Sequence, residues 1–170
     1  MTENIVLTGF MGTGKSEVAR ELSRICGMKL IDIDREIEAS RQQSISEIFA
    51  SCGEEYFRRI ETAAILAAAS EQGVIISTGG GAVLREENLK ALQAHGRIFC
   101  LTASPETIML RTAGDSDRPL LQGEDRQMRI AELLSVRKPY YEKAGMQINT
   151  EGKTPLEVAN EIIGIMEWTR

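Results

Sequence analysis

The feature that most constrains this chain is the segment Gly9-Phe10-Met11-Gly12-Thr13-Gly14-Lys15-Ser16, which has the pattern G-x-x-x-x-G-K-[ST]. An apolar run at residues 5–7 precedes it, and an amphipathic stretch at residues 15–26 follows it. Glycines in such a loop let successive backbone N–H groups point at phosphate oxygens, and the N-terminus of the following helix adds positive potential. Lys15 would reach the β- and γ-phosphates, and Ser16 would offer its hydroxyl to Mg²⁺. The segment therefore predicts a strand, a loop and a helix that together bind a nucleoside triphosphate.

Short apolar runs alternate with longer amphipathic stretches along the whole chain. Five runs predict buried strands, at residues 5–7, 29–33, 74–76, 98–101 and 146–148. Helical patterns cover residues 15–26, 54–70, 86–94 and 126–144, and helix-start signals stand at Ser44, Ser104 and Thr154. This alternation predicts an α/β fold with a five-stranded parallel sheet flanked by helices. No repeat or linker divides the sequence, so we expect a single domain over residues 1–170.

Composition narrows the classes of function. The chain has 170 residues, with 20 Lys and Arg against 25 Asp and Glu, and this acidic balance argues against general nucleic-acid binding. The cysteines Cys26, Cys52 and Cys100 lack a C-x-x-C spacing, which indicates unpaired thiols in a reducing compartment. Residues 1–4 lack the basic start of an export signal, and no apolar run approaches the ~20 residues of a membrane span. We therefore expect a cytoplasmic protein that binds neither nucleic acid nor membranes.

A Mg²⁺ site at the loop needs a carboxylate besides Ser16. In many nucleoside triphosphatases that carboxylate ends a later strand, but residues 74–76 run into Ser77-Thr78-Gly79, and no Asn-Lys-x-Asp sequence for reading guanine occurs. Both absences argue against a GTPase switch or a mechanical ATPase. Asp32 and Asp34 are the candidates instead, because a spacing of two places both on one face of the second predicted strand, near the loop.

These two carboxylates allow a division of roles. One would hold Mg²⁺ through water, and the other would accept a proton from an attacking hydroxyl. The alternative is that Asp34 only caps a helix that begins with Arg35-Glu36-Ile37.

An arginine lies among apolar residues in the helix predicted over residues 126–144. The residues that fall on one helical stripe are Ile130, Leu133, Leu134, Arg137 and Tyr141. An unpaired charge at such an interior position is costly, so a ligand carboxylate would explain Arg137, and Arg58 would offer a second guanidinium. The alternative for each arginine is an ion pair within the protein. For Arg58 the partner would be Glu61, three residues further on.

Three consecutive glycines follow the third predicted strand. The backbone amides of Gly79, Gly80 and Gly81 can come close to a ligand where a side chain would intrude. An ordinary loop is the alternative.

These motifs occur together, and in the same order, in shikimate kinases, which the chain resembles over about residues 5–157. The motifs that carry the resemblance are Gly9 to Ser16, Asp32-x-Asp34, Phe57-Arg58-x-x-Glu61, Gly79-Gly80-Gly81, Arg118-Pro119-Leu120-Leu121 and Arg137-x-x-x-Tyr141. The resemblance implies transfer of the γ-phosphoryl group of MgATP to the 3-hydroxyl of shikimate, a step toward chorismate and the aromatic amino acids. It also implies the compact fold of nucleoside monophosphate kinases, a substrate-binding helical segment at about residues 33–61 and a lid at about residues 112–125.

The resemblance further implies roles for individual residues. Those implied to bind ATP are Gly12, Thr13, Gly14, Lys15, Ser16, Glu17, Arg111, Arg118, Lys153 and Pro155, although Glu17 stands where the family often has Thr. Those implied to bind shikimate are Asp34, Arg58, Gly79, Gly80, Gly81 and Arg137. Ser16 and Asp32 would hold Mg²⁺, while Lys15, Asp34 and Arg118 would take part in catalysis. We expect the enzyme to be a monomer.

Two alternatives from other classes stay open at this point. One is another small-molecule kinase of the same fold, for gluconate or a nucleoside monophosphate, since gluconate is also a hydroxylated carboxylate. The Asp32-x-Asp34 pair, the three glycines and Arg137 favour shikimate over these acceptors. The other alternative is a nucleotide-binding protein without activity, against which Lys15 and the two aspartates argue.

Overall fold

The computed structural model describes residues 3–114 and 125–167. Its strands are β1 (Asn4–Gly9), β2 (Lys29–Asp32), β3 (Val74–Ser77), β4 (Gly96–Thr102) and β5 (Met146–Asn149). Its α-helices are α1 (Lys15–Cys26), α2 (Ile33–Arg41), α3 (Ile45–Ala69), α4 (Glu86–His95), α5 (Pro105–Thr112), α6 (Arg126–Ala144) and α7 (Pro155–Glu167). A 3-10 helix covers Ala82–Leu84.

The five strands form one parallel sheet in the order β2-β3-β1-β4-β5. The central strand β1 pairs on one side with β3, where Ile5 lies opposite Ile75, and on the other with β4, where Val6 lies opposite Ile98. Every residue of β1 is buried, which accounts for its continuous apolar run. The predicted five-stranded parallel sheet is confirmed, but its edge strands β2 and β5 each have only one buried residue, so the prediction that all five strands are buried was wrong for these two.

Helices cover both faces of the sheet, and each face has its own core. Alternate residues of a strand point to opposite faces, so Val6 packs in one core while Ile5 and Leu7 pack in the other. The first core lies under α2 to α6, and the second lies under α1 and α7. The chain thus forms one three-layer α/β domain.

Local signals set the helix ends as expected. Helix α1 begins after Gly14 (φ 90°) and ends at Gly27 (φ 67°), and both are left-handed conformations that glycine adopts without strain. Ser44 and Glu47 form a capping box at the start of α3, and Ser104 caps α5.

The second strand is shorter than predicted. It ends at Asp32, whose side chain accepts a hydrogen bond from the Arg35 amide (3.3 Å) and so caps helix α2. Ile33 is already helical, and Asp34 lies in the first turn of the helix. The prediction that Asp32 and Asp34 share one face of a strand was therefore wrong, and so was Asp34 as the capping residue. Ile33 is fully buried, and its apolar character made it look like a strand residue.

The helix-start signal at Ser44 and the helical pattern predicted over residues 54–70 belong to one helix, α3. Gly53 interrupts it with a non-helical conformation (φ 81°, ψ 169°). A residue with a Cβ would be strained there, so the glycine provides the change of direction within α3.

Among the described residues, no helix is both long and apolar enough to span a membrane. In the part of the chain that the structure describes, Cys26, Cys52 and Cys100 form no disulfide bond, as predicted, and the first two are exposed while Cys100 is buried.

Candidate active site

The main cavity, of about 800 Å³, lies at the carboxyl ends of β1, β2 and β3. The helices that follow β1 and β3 cover opposite faces of the sheet, which opens a crevice at this edge. The residues predicted for the site that line the cavity are Gly12, Thr13, Gly14, Lys15, Ser16, Glu17, Asp32, Asp34, Arg58, Gly79, Gly80, Gly81, Arg111, Arg137, Lys153 and Pro155. Arg118 and most of the predicted lid lie outside the described residues. The fold therefore brings every other predicted site residue to one cavity.

The loop between β1 and α1 has the backbone expected of a phosphate cradle. Gly9 has φ 131°, and a Cβ there would overlap the carbonyl oxygen of Leu101, so only glycine fits. The Lys15 ammonium donates hydrogen bonds to the carbonyl oxygens of Gly9 and Phe10, at 2.8 Å each. Thr13 closes the turn by donating its hydroxyl to Phe10 (2.7 Å). The lysine thus lies across its own loop, with its charge at the cavity.

Two oxygen ligands meet at the start of α1. Ser16 Oγ lies 3.5 Å from Asp32 Oδ2, although the residues are 16 apart in the chain. Hydroxyl and carboxylate oxygens are the hard donors that Mg²⁺ prefers, and Mg²⁺ keeps several waters besides one or two protein ligands. This pair fits a magnesium ion shared with nucleotide phosphates.

Asp34 reaches the cavity from the first turn of α2, on the far side of the glycine loop. A Cβ added to Gly79 would lie 3.2 Å from Asp34 Oδ1 and 3.0 Å from Glu61 Oε1. The α-carbon of Gly79 therefore lies against two carboxylates at once, and a side chain at this position would require Glu61 and Asp34 to shift. This contact draws together three elements: α2, α3 and the loop after β3.

Arg58 and Glu61 form a buried ion pair. Arg58 Nη1 donates to Glu61 Oε2 at 2.7 Å, and Arg58 Nη2 donates to Glu54 Oε1 at 3.2 Å. Arg58 is 9% exposed and Glu61 is not exposed at all. Complete burial raises the pKa of Glu61, while the charge and hydrogen bond of Arg58 oppose that shift. The internal pair that the sequence left as an alternative is present, and Arg58 lines the cavity as well.

Arg137 occupies the interior position that the helical stripe predicts. It is 5% exposed, its guanidinium carbon lies 5.7 Å from the centre of the Phe10 ring, and it lines the cavity. Within residues 3–114 and 125–167, no carboxylate forms a salt bridge with it. A buried cation that faces a cavity in this way can receive an anionic group from a ligand.

The opposite end of the cavity is built around Arg111. Its guanidinium donates to Thr150 Oγ1 (3.0 Å), to the Thr150 carbonyl (3.1 Å) and to the Gly12 carbonyl (3.3 Å). These bonds join the phosphate loop to the turn that carries Lys153, whose ammonium pairs with Glu161 at 2.6 Å. Glu17 instead pairs with Arg20 on the exposed side of α1 (3.6 Å).

Sequence reasoning assigned no role to several residues that line the cavity or contact its arginines. Phe10 lies under Arg137, and the rings of Phe49 and Phe57 pack 4.8 Å apart on the cavity wall. Phe49 and Phe57 lie on opposite sides of the break at Gly53, so helical spacing could not relate them. Glu61 was noted only as a neighbour of Arg58, and its closeness to Gly79 depends on contacts between distant segments.

Gly81→Ala tests how tightly the glycine loop packs on Arg58. The new Cβ would lie 2.5 Å from Arg58 Nη1, so the guanidinium has to move and its pairing with buried Glu61 weakens. We expect the free energy of unfolding to fall by about 1–3 kcal/mol, as for other overpacked sites. Urea denaturation measures it, with Gly164→Ala as the control, because a Cβ at Gly164 meets nothing within 4 Å. Unchanged stability in Gly81→Ala would contradict the crowding.

Comparisons with known proteins agree with this geometry. The family model described as "Shikimate kinase" matches residues 11–167. The shikimate kinase of Thermodesulfovibrio yellowstonii is 48% identical over 161 residues, which cover 95% of this chain and 93% of that protein. The shikimate kinase of Caldanaerobacter subterraneus subsp. tengcongensis is 44% identical, over 95% of this chain and 94% of that protein.

Solved structures show the same relationship. A shikimate kinase from Acinetobacter baumannii, in complex with shikimate, superposes with a TM-score of 0.96 at 32% identity, covering 100% of this chain and 96% of that one. A gluconokinase from Sinorhizobium meliloti, at 17% identity and a TM-score of 0.65, shares the fold alone, over 98% of this chain and 93% of that one. Because the family model and close relatives match nearly its whole length, this chain belongs to the shikimate kinase family.

Proposed function

We propose that this protein transfers the γ-phosphoryl group of ATP to the 3-hydroxyl of shikimate, giving shikimate 3-phosphate and ADP. Its family supports the reaction and its two substrates. The observation that carries the choice of acceptor is Arg137, a buried cation on the wall of the same cavity as Lys15. A small acid held there has its hydroxyls toward the phosphate loop.

The nucleotide binds at the end of the cavity formed by the phosphate loop and Arg111. The backbone amides of Gly12, Thr13 and Gly14 receive phosphate oxygens, helped by the positive end of helix α1. When ATP binds, the Lys15 ammonium leaves the two loop carbonyl oxygens and pairs with the β- and γ-phosphates. Arg111 and the turn from Lys153 to Pro155 contact the adenine, and the hydrogen bonds that join Arg111 to Gly12 and Thr150 support this assignment by holding that turn beside the loop.

A magnesium ion would be held by the hydroxyl of Ser16 and by Asp32. Their 3.5 Å separation and their oxygen chemistry support this assignment. Magnesium supplies charge neutralisation on the phosphates, which is the main demand of phosphoryl transfer.

The acceptor binds between Arg58, Arg137 and the glycine loop. The two guanidinium groups hold the carboxylate, and Gly79, Gly80 and Gly81 let the ring approach the backbone. Asp34 binds the ring hydroxyls and accepts the proton of the attacking hydroxyl as the O–P bond forms. Since such transfers depend chiefly on positioning and charge stabilisation, the alignment by Asp34 matters as much as its basicity.

Arg118 completes the proposal from the lid predicted at about residues 112–125. A cation that closes over the phosphates neutralises developing charge and excludes water. The substrate-binding helical segment, at about residues 33–61, closes the acceptor end. We also propose a cytoplasmic monomer that acts on these two substrates without nucleic acid or membrane.

A coupled ADP-release assay with shikimate, gluconate and AMP tests the proposal. We expect turnover with shikimate alone, because gluconate lacks the rigid ring and AMP lacks the carboxylate that the arginines require. Excess EDTA should stop the reaction, and added Mg²⁺ should restore it. Turnover with only gluconate or AMP would refute the choice of acceptor, and full activity in EDTA would refute the magnesium site.

A further inference from the structure

Tyr141 connects helix α6 to the glycine loop. It lies one helical turn beyond Arg137, is 5% exposed, and donates its hydroxyl to the carbonyl oxygen of Gly80 at 2.7 Å. The bond joins residues 61 apart in the chain. A buried phenol that makes one short bond to a loop of three glycines restricts a segment with little stiffness of its own.

The same hydroxyl lies beside the acceptor-binding arginine. A Cβ added to Gly80 would lie 3.4 Å from the Tyr141 hydroxyl, 3.5 Å from Arg137 Nη1 and 3.1 Å from the Gly9 carbonyl oxygen. The phenol, the guanidinium and the phosphate loop therefore meet around one α-carbon. The positive charge of Arg137 therefore acts on the phenol.

The phenol remains a donor over the working range of pH. Burial raises the pKa of Tyr141 to about 12, although the charge and hydrogen bonding of Arg137 oppose the shift. The proton is therefore retained near neutrality and is available to the Gly80 carbonyl. Because arginine only donates, a phenol oxygen that meets the Arg137 guanidinium can do so only as an acceptor.

We propose that Tyr141 is a positioning residue for the acceptor: its hydroxyl holds the Gly80 carbonyl and the Arg137 guanidinium in the orientation that receives the carboxylate. This inference rests on the proposed function. A trans peptide directs its C=O and N–H to opposite sides, so the bond to Gly80 also sets the direction of the Gly81 amide. Without the hydroxyl, the loop and the arginine become ordered only when the acceptor binds. The entropy cost of that ordering lowers the affinity of the protein for the acceptor.

Tyr141→Phe removes the hydroxyl and keeps the ring. We expect the KM for shikimate to rise about tenfold, because about one hydrogen bond that orders the acceptor site is lost, while the KM for ATP changes less than twofold. In an Arg137→Ala background the same change should raise the shikimate KM less than twofold, because the residue it positions is gone. Tyr140→Phe, on the same helix but 45% exposed, is the matched control and should match the unmodified enzyme.

Other outcomes would overturn either the role of Tyr141 or the proposed function. An unchanged shikimate KM in Tyr141→Phe overturns the inference, and so does an equal rise in the KM of both substrates, which a general loosening of the fold would cause. A tenfold effect that persists without Arg137 also overturns it. If the unmodified enzyme uses a different acceptor, the proposed function fails, and the same comparison is then made with that acceptor.

Discussion

Lys15→Ala should lower turnover at least about 10³-fold, because the lysine supplies the charge that follows the γ-phosphoryl group through the transition state. Its ammonium now lies 2.8 Å from two carbonyl oxygens of its own loop, at the cavity. Replacing it removes that charge where it is needed, while the glycine backbone of the loop keeps its conformation. The measurement is kcat for ADP release at saturating shikimate and ATP.

The control for this change is Lys90→Ala. Lys90 is an exposed lysine on α4 that pairs with Glu86 at 2.9 Å and does not line the cavity. We expect both variants to keep the thermal unfolding midpoint within a few degrees of the parent, since neither lysine is part of the cores. Near-normal turnover by a folded Lys15→Ala protein would be incompatible with the proposed phosphate site.

Arg137→Ala should weaken shikimate binding by about 2–5 kcal/mol, which corresponds to about 30-fold to 5,000-fold in Kd. The size follows from burial: Arg137 is 5% exposed, so a carboxylate bound to it is screened little by water. ATP binding should change far less, because Arg137 lines the part of the cavity where we propose that the acceptor binds. Calorimetric titration with each substrate separates the two effects.

A second variant keeps this prediction testable if alanine at position 137 harms the fold. Arg137→Lys retains the charge but loses the two-pronged geometry, so we expect a smaller loss of shikimate affinity. Arg24→Ala, at an exposed position on α1, controls for the loss of one arginine charge. Unchanged shikimate affinity in both variants at position 137 would return Arg137 to a purely structural role.

Much of the architecture follows from local chemistry. The run Ile5 to Leu7 is apolar without alternation, which is typical of a parallel strand covered on both faces, and the structure places it at the centre of the sheet. Helix ends follow the same logic, because Ser44, Ser104 and Gly27 act on backbone groups within a few residues of themselves. Such interactions are readable from a short stretch of chain.

The boundary between β2 and α2 was not readable in that way. Ile33 is buried as either a strand or a helix residue, so its apolar character does not discriminate between them. The cap formed by Asp32 with the Arg35 amide selects the helix, and a cap with Asp34 was equally plausible from the spacing. Asp32 and Asp34 nevertheless line one cavity, for a reason other than the predicted one.

The phosphate-loop motif, the arginine on an apolar helical stripe and the five strands could all be recognised from patterns between near neighbours in the chain. The closeness of Glu61 and Asp34 at Gly79 and the bond from Tyr141 to Gly80 became evident when the chain was folded. Periodicity reports which face of an element is buried and does not report which distant residue lies opposite. Packing of α2, α3 and α6 around the glycine loop supplies that information, because close contact there leaves room for one arrangement of the charged groups.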